Sequence, residues 1–182
     1  IDLVGGDVTN GELNNSENVF VYPNKKPILR NGAILGDSIY VTGQLGKAKQ
    51  GLNDWLNKKD SIYCKDFLRP KPQFQKAKEL SDFATSCIDI SDGLIKDLGE
   101  ICRQSNVGAE LCYEDIPILN DHKDLTHGDD YELCFTAPCH LDDQLKSQGF
   151  FLIGKIIQKL GLSVKKGGSE ITFEKNGWDP FE

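Results

Sequence analysis

The stretch that most constrains this chain is residues 87–98, CIDISDGLIKDL. Cys87, Ile88 and Ile90 form a short apolar run with Asp89, Ser91 and Asp92 set into it, and the run ends at Gly93. A helical pattern starts at once. Leu94, Leu98, Ile101 and Cys102 share one face of a 3.6-residue repeat, with Lys96, Asp97, Glu100 and Arg103 mostly elsewhere. The segment predicts a strand that runs into a helix N-terminus, with Ser91 or Asp92 as its cap. Free N–H groups and a partial positive charge at such an end receive a phosphate group. Two carboxylates in the same turn would repel that phosphate unless divalent cations stood between them, and Mg²⁺ takes hard oxygen ligands. The residue types point to a nucleotide–metal site, although a solvated helix cap uses the same residues.

At 182 residues the chain fits one domain that buries its own core. It opens on Ile1, and the next residues read as the end of a buried strand, so the start is expected to lie inside a longer protein. A formal charge of −7, with no basic cluster beyond Lys25-Lys26 and Lys165-Lys166, argues against nucleic acid as a partner. No apolar run reaches membrane-spanning length. The six cysteines form no CxxC pair and sit mostly in apolar stretches, which predicts reduced thiols in a cytoplasmic protein. Cys134, Cys139 and His140 are poorly spaced for zinc.

Along the chain, Ile1 to Thr9 predicts a strand whose Gly5 and Gly6 let the backbone approach a ligand, with Asp7 beside it. Residues 11–18 read as a loop, 19–22 and 38–42 as strands, and 47–56 as a helix with Ala48, Leu52, Trp55 and Leu56 inward. Gly43 to Lys47 lacks the spacing of a P-loop. Arg30, at a turn, offers a guanidinium that can grip phosphate in a bidentate manner. A helix is expected over 72–83 and a strand over 107–112. HGDDYELCFTAP, residues 127–138, is then a turn with two carboxylates leading into a strand. A helix over 141–148 and strands over 150–157 and 171–174 follow. In the closing NGWDPF, Trp178 or Phe181 can stack on a flat, cationic ring.

Six of these segments, in this order, resemble the thiamine-monophosphate kinase family, of the superfamily that includes aminoimidazole ribonucleotide synthetase and selenophosphate synthetase. They are DLVGGDVT, LRNGAILGDSIYVTGQLG, RPKP, IDISDGLIKDL, GDDYELCFT and GWDPF. The resemblance implies phosphorylation of thiamine monophosphate to thiamine diphosphate with ATP and Mg²⁺. It implies ATP contacts from Gly6, Asp7, Arg30 and Ser91, and Mg²⁺ ligation by Asp7, Asp89 and Asp92. Asp129, Trp178 and Phe181 would bind the thiamine substrate. His127 and Asp129 stand where the family has glycine and glutamate. Joined to the element order, the resemblance implies an α+β fold, a mixed sheet of about six or seven strands covered by helices, like the C-terminal domain of aminoimidazole ribonucleotide synthetase. Residues 1–18 would then be the last strand of a missing N-terminal ATP-binding domain plus a linker, and 19–182 the C-terminal α+β domain. The full-length parent is expected to be a homodimer, and the chain by itself, lacking upstream carboxylates, inactive. Two other readings stay open: another ATP-dependent phosphotransferase or synthetase of the superfamily, and a non-catalytic nucleotide-binding domain.

Overall fold

The computed structural model describes residues 26–179. Gly6, Asp7, Phe181, the strand expected over 19–22 and the boundary at residue 18 lie outside them. In chain order the elements are β1 (Ser38–Val41), α1 (Lys47–Leu56), α2 (Cys64–Leu68), α3 (Phe74–Leu80), β2 (Ser86–Asp89) and α4 (Leu94–Ser105). Then follow β3 (Gly108–Cys112), β4 (Leu133–Ala137), α5 (Asp142–Ser147), β5 (Phe151–Ile157), β6 (Gly161–Lys166) and β7 (Ser169–Ile171). The seven strands form one sheet in the order β2-β4-β1-β5-β3-β6-β7. β3 and β6 pair in parallel and the other neighbours antiparallel, so the sheet is mixed and the fold α+β, as the sequence implies.

Alternation along the strands divides the core between the two faces of the sheet. Ile39 and Val41 of β1 and Ile88 of β2 face the cluster that holds Leu94, Leu98 and Ile101 of α4, all buried. Tyr40 and Phe135 point the other way, into a cluster with Leu80 of α3 and Leu145 of α5. There the Tyr40 and Phe135 rings stack with centroids 5.1 Å apart, and Phe150 meets Phe135 edge-on at 5.2 Å. β1 is buried at all four positions because helices cover both faces at the middle of the sheet. Leu98 has no exposed surface and lies midway along α4. Leu98→Ala is expected to cost about 3 kcal/mol in chemical denaturation; a loss under about 1 kcal/mol would mean that α4 is not seated in the core.

Several expected elements are displaced. α1 spans the predicted residues, but its buried positions are Ala48, Gly51 and Asp54, whereas Trp55 and Leu56 are 52% and 63% exposed. α2, not anticipated, lies against α1 at Gly51, where a Cβ would stand 2.1 Å from the Tyr63 carbonyl oxygen. That close approach turns the Gly51 side inward and the bulky residues out. The helix expected over 72–83 is shorter, Phe74–Leu80. The strand expected over 171–174 is instead β7, Ser169–Ile171, paired with the unanticipated β6. The turn between them, Gly167-Gly168, has both φ angles positive (55° and 83°), the two-residue hairpin signature that was readable in the sequence.

Candidate active site

β2 ends at Asp89, and the chain turns through Ile90, Ser91, Asp92 and Gly93 into α4. The cap position belongs to Gly93 (φ 120°, ψ 146°), with no side-chain capping bond, so neither Ser91 nor Asp92 is the cap. Asp97, in the first turn of α4, reaches back instead. Its Oδ2 accepts the N–H groups of Ser91, Asp92 and Gly93 at 3.0, 3.0 and 3.1 Å. An acid at this point of a helix sits beneath the donors of the preceding turn, and its charge suits both them and the helix dipole. Asp97 is 6% exposed, which also corrects its expected place on the polar face. The three N–H groups that would have met a phosphate are therefore already occupied.

Residues 129–132 run antiparallel beside this turn and prolong the β2–β4 ladder beyond the strands. Ile90 donates to the Glu132 carbonyl at 2.8 Å, Tyr131 to Ile90 at 2.9 Å and Asp129 to Ser91 at 3.0 Å. Asp129 and Tyr131 both adopt positive φ (68° and 50°), a rarely populated region for residues with a Cβ. The C-terminal segment closes the other side. The Trp178 N–H donates to the Asp92 carbonyl at 2.9 Å, and Lys96 Nζ donates to the Trp178 carbonyl at 2.5 Å while lying 3.0 Å from Asp92 Oδ2. The C-terminal segment and Lys96 of α4 line a cleft of about 350 Å³, with Glu174, Lys175, Asn176, Trp178 and Asp179 on its walls. Trp178 is 59% exposed, so its ring is available at the mouth of this cleft.

The structure thus gathers Asp89, Ser91, Asp92, Asp129 and Trp178 around one turn. Arg30 does not join them: its carbonyl accepts from Ser105 Oγ at the far end of α4, and its charge acts on Glu100. Twelve helical residues, about 18 Å, separate the two ends. Asp89 and Asp92 are half-buried hard-oxygen donors, and Asp92 already engages a cation through Lys96, so both suit part of an Mg²⁺ donor set. Among the described residues no three His, Cys, Asp or Glu side chains converge as a metal cage.

Other acids in the neighbourhood hold the framework. Asp130 accepts the N–H groups of Gly46 and Ala48 at 2.7 and 3.1 Å, capping α1 from a distant loop. Asp124 is buried and binds Lys49 Nζ and the Asn120 N–H at 2.8 and 2.7 Å. Sequence reasoning missed Asp97 and Asp130 because their partners are backbone donors, which leave no side-chain signature; an acid in the first turn of α4 was the one readable sign.

Burial pushes the carboxyls of Asp97 and Asp130 up to about 6 from the usual 3.8, against the pull of their N–H donors. Because these folded values lie above those of the unfolded chain, the folded state holds protons that the unfolded state releases between about pH 4 and 6. Stability contributed by these groups therefore falls as pH rises through that window and is level above it. For Asp130→Asn, the stability of wild type relative to the variant is expected to drop by about 2 kcal/mol from pH 4 to pH 7. A difference that stays constant across that range, measured by urea titration, would contradict this.

Comparison with known proteins bears on what this site belongs to. No protein-family model matches the chain. Thiamine-monophosphate kinase from Escherichia coli strain K12 is 36% identical over 207 aligned residues, which cover 100% of this chain and 64% of that protein. The chain is homologous to the thiamine-monophosphate kinases. It spans less than two thirds of that kinase's length. Among solved structures, the thiamine-monophosphate kinase from Stenotrophomonas maltophilia K279a matches with a TM-score of 0.68 and 33% identity, over 78% of this chain and 54% of that one. The structure of AaThiL complexed with AMPPCP and TMP matches with a TM-score of 0.72 and 29% identity, over 85% of this chain and 54% of that one.

Proposed function

We propose that the full-length protein transfers the γ-phosphoryl group of ATP to thiamine monophosphate, giving thiamine diphosphate, and that this chain supplies its C-terminal α+β domain. The observation that carries the reading is 36% identity to a thiamine-monophosphate kinase in an alignment that covers the whole chain. A homologous kinase complexed with AMPPCP and TMP supports the choice of both substrates. Asp89 and Asp92 would hold Mg²⁺, which when bound supplies charge neutralisation for the transferred phosphoryl group. Ser91, on the same turn, faces the nucleotide phosphates. Asp129 and the exposed Trp178 orient the thiamine, the indole face suiting its cationic ring. The acceptor is an ionised phosphate, so no side chain is needed as a general base. Arg30, at the far end of α4, is not part of this set.

The 182-residue chain alone is expected to show no turnover, because it spans 64% of the length of the Escherichia coli kinase. The test is chromatographic assay of thiamine diphosphate formed from thiamine monophosphate, ATP and Mg²⁺ by the full-length protein and by this chain in parallel. Product from the first and none from the second is the expected result. A full-length protein that consumes ATP without converting thiamine monophosphate would overturn the function, and product from the chain alone would overturn the partial-site account.

A further inference from the structure

We propose that Asp97 is the positioning residue of this site, the internal anion that sets the turn carrying Asp89, Ser91 and Asp92. The proposal rests on the kinase reading for the metal and nucleotide but on the structure alone for the turn. Three consecutive backbone N–H groups, those of Ser91, Asp92 and Gly93, converge on one oxygen of one side chain at 3.0 to 3.1 Å. Successive N–H groups arranged this way form an anion-binding concavity, a place where a ligand phosphate commonly sits. Here the anion is the protein's own.

The consequences follow from where Asp97 is anchored. It is 6% exposed and lies one residue before Leu98, which is fully buried in the core that α4 shares with β2. Its carboxylate therefore has little freedom, and the turn inherits that rigidity. With the backbone of Asp92 fixed on one side by Asp97 and on the other by the Trp178 N–H at 2.9 Å, the Asp92 carboxylate projects in one direction beside Lys96. The N–H groups of residues 91–93 are also removed from the set available to a nucleotide, so phosphate charge near this turn must be met by metal ions and side chains. Asp97 touches neither, and acts through the residues it holds.

The experiment uses the full-length protein and three readouts: amide hydrogen exchange at residues 91–93, the Mg²⁺ concentration needed for half-maximal AMPPCP binding by calorimetry, and the kinase rate. In Asp97→Ala, exchange at residues 91–93 should quicken by about tenfold or more, since the donors lose their acceptor. Exchange in the second half of α4 should stay slow. The Mg²⁺ requirement should rise about 10- to 100-fold, the usual effect of removing a group that orients a metal ligand. Asp97→Asn, which retains a carbonyl acceptor without the charge, should fall between wild type and Asp97→Ala on both measures, and millimolar formate should partly restore Asp97→Ala. Unchanged exchange and Mg²⁺ requirement in Asp97→Ala would overturn the proposal. Should that variant not fold, Asp97→Asn decides, and wild-type values for it would overturn the proposal equally. If wild-type protein binds Mg²⁺ and AMPPCP but leaves thiamine monophosphate unconverted, the kinase reading fails while the first two readouts still judge Asp97.

Discussion

Asp92→Asn in the full-length protein is expected to lower turnover about a hundredfold, the loss of roughly 3 kcal/mol of electrostatic stabilisation at the proposed phosphoryl-transfer site. The structure makes this substitution a clean one. Asp92 contributes its backbone to the framework, through the Asp97 and Trp178 hydrogen bonds, whereas its carboxylate pairs with the partly exposed Lys96 ammonium. Asparagine keeps that backbone and the side-chain shape and removes the charge. Losing a partly exposed i,i+4 ion pair costs about 0.5 kcal/mol or less, so the melting temperature should barely move. Turnover as a function of Mg²⁺ concentration, beside a thermal melt, separates the effects. Near-normal turnover would leave Asp92 as a surface partner of Lys96.

Gly128→Ala should damage both stability and activity, because the space for a Cβ is occupied by main chain. A Cβ on Gly128 would stand 2.0 Å from the Ser91 carbonyl oxygen and 3.1 Å from the Asp92 Cα. Neither neighbour can swing aside as a flexible side chain would. The loop must move away from the turn, and the first contact at risk is the 3.0 Å bond from Asp129 to Ser91. An overpacked position of this kind typically costs about 1–3 kcal/mol. Separating Asp129 from the turn should lower kcat/KM for thiamine monophosphate by about a hundredfold, as misplacement of a bound reactant by an ångström does. Wild-type stability and kinetics in the alanine variant would show that the two loops do not rely on this approach.

The turn into α4 was legible because its signals are local. Alternation before Gly93 and a 3.6-residue repeat after it locate the strand and the helix, and Ile88, Ile90, Leu94, Leu98 and Ile101 are all buried. α1 was placed to the residue, yet its orientation was not. Its apolar residues suggested one face, and contact with α2 at Gly51 selected another. The same limit applies to the acids. Asp97 and Asp130 resemble surface or catalytic carboxylates in a sequence, and only the folded chain shows that each is occupied by backbone donors, Asp130 by donors more than eighty residues away. The sequence set Arg30 on the ATP phosphates and Asp92 on Mg²⁺, but the Arg30 carbonyl lies against Ser105 at the end of α4 and its charge acts on Glu100, away from the turn at Asp92. Residue type indicated the kind of chemistry, whereas tertiary contacts decided which carboxylates remain free to perform it.

The turn at Asp89 and Asp92 and the cleft beside Trp178 are proposed as two sides of one reaction site. A crystal structure of the full-length protein with Mg²⁺, AMPPCP and thiamine monophosphate tests it directly. The expected result is Mg²⁺ at about 2.1 Å from carboxylate oxygens of Asp89 and Asp92, with the thiamine ring against Trp178 and its phosphate directed toward the metal. Mg²⁺ held without either aspartate, or thiamine monophosphate bound away from Trp178, would contradict it.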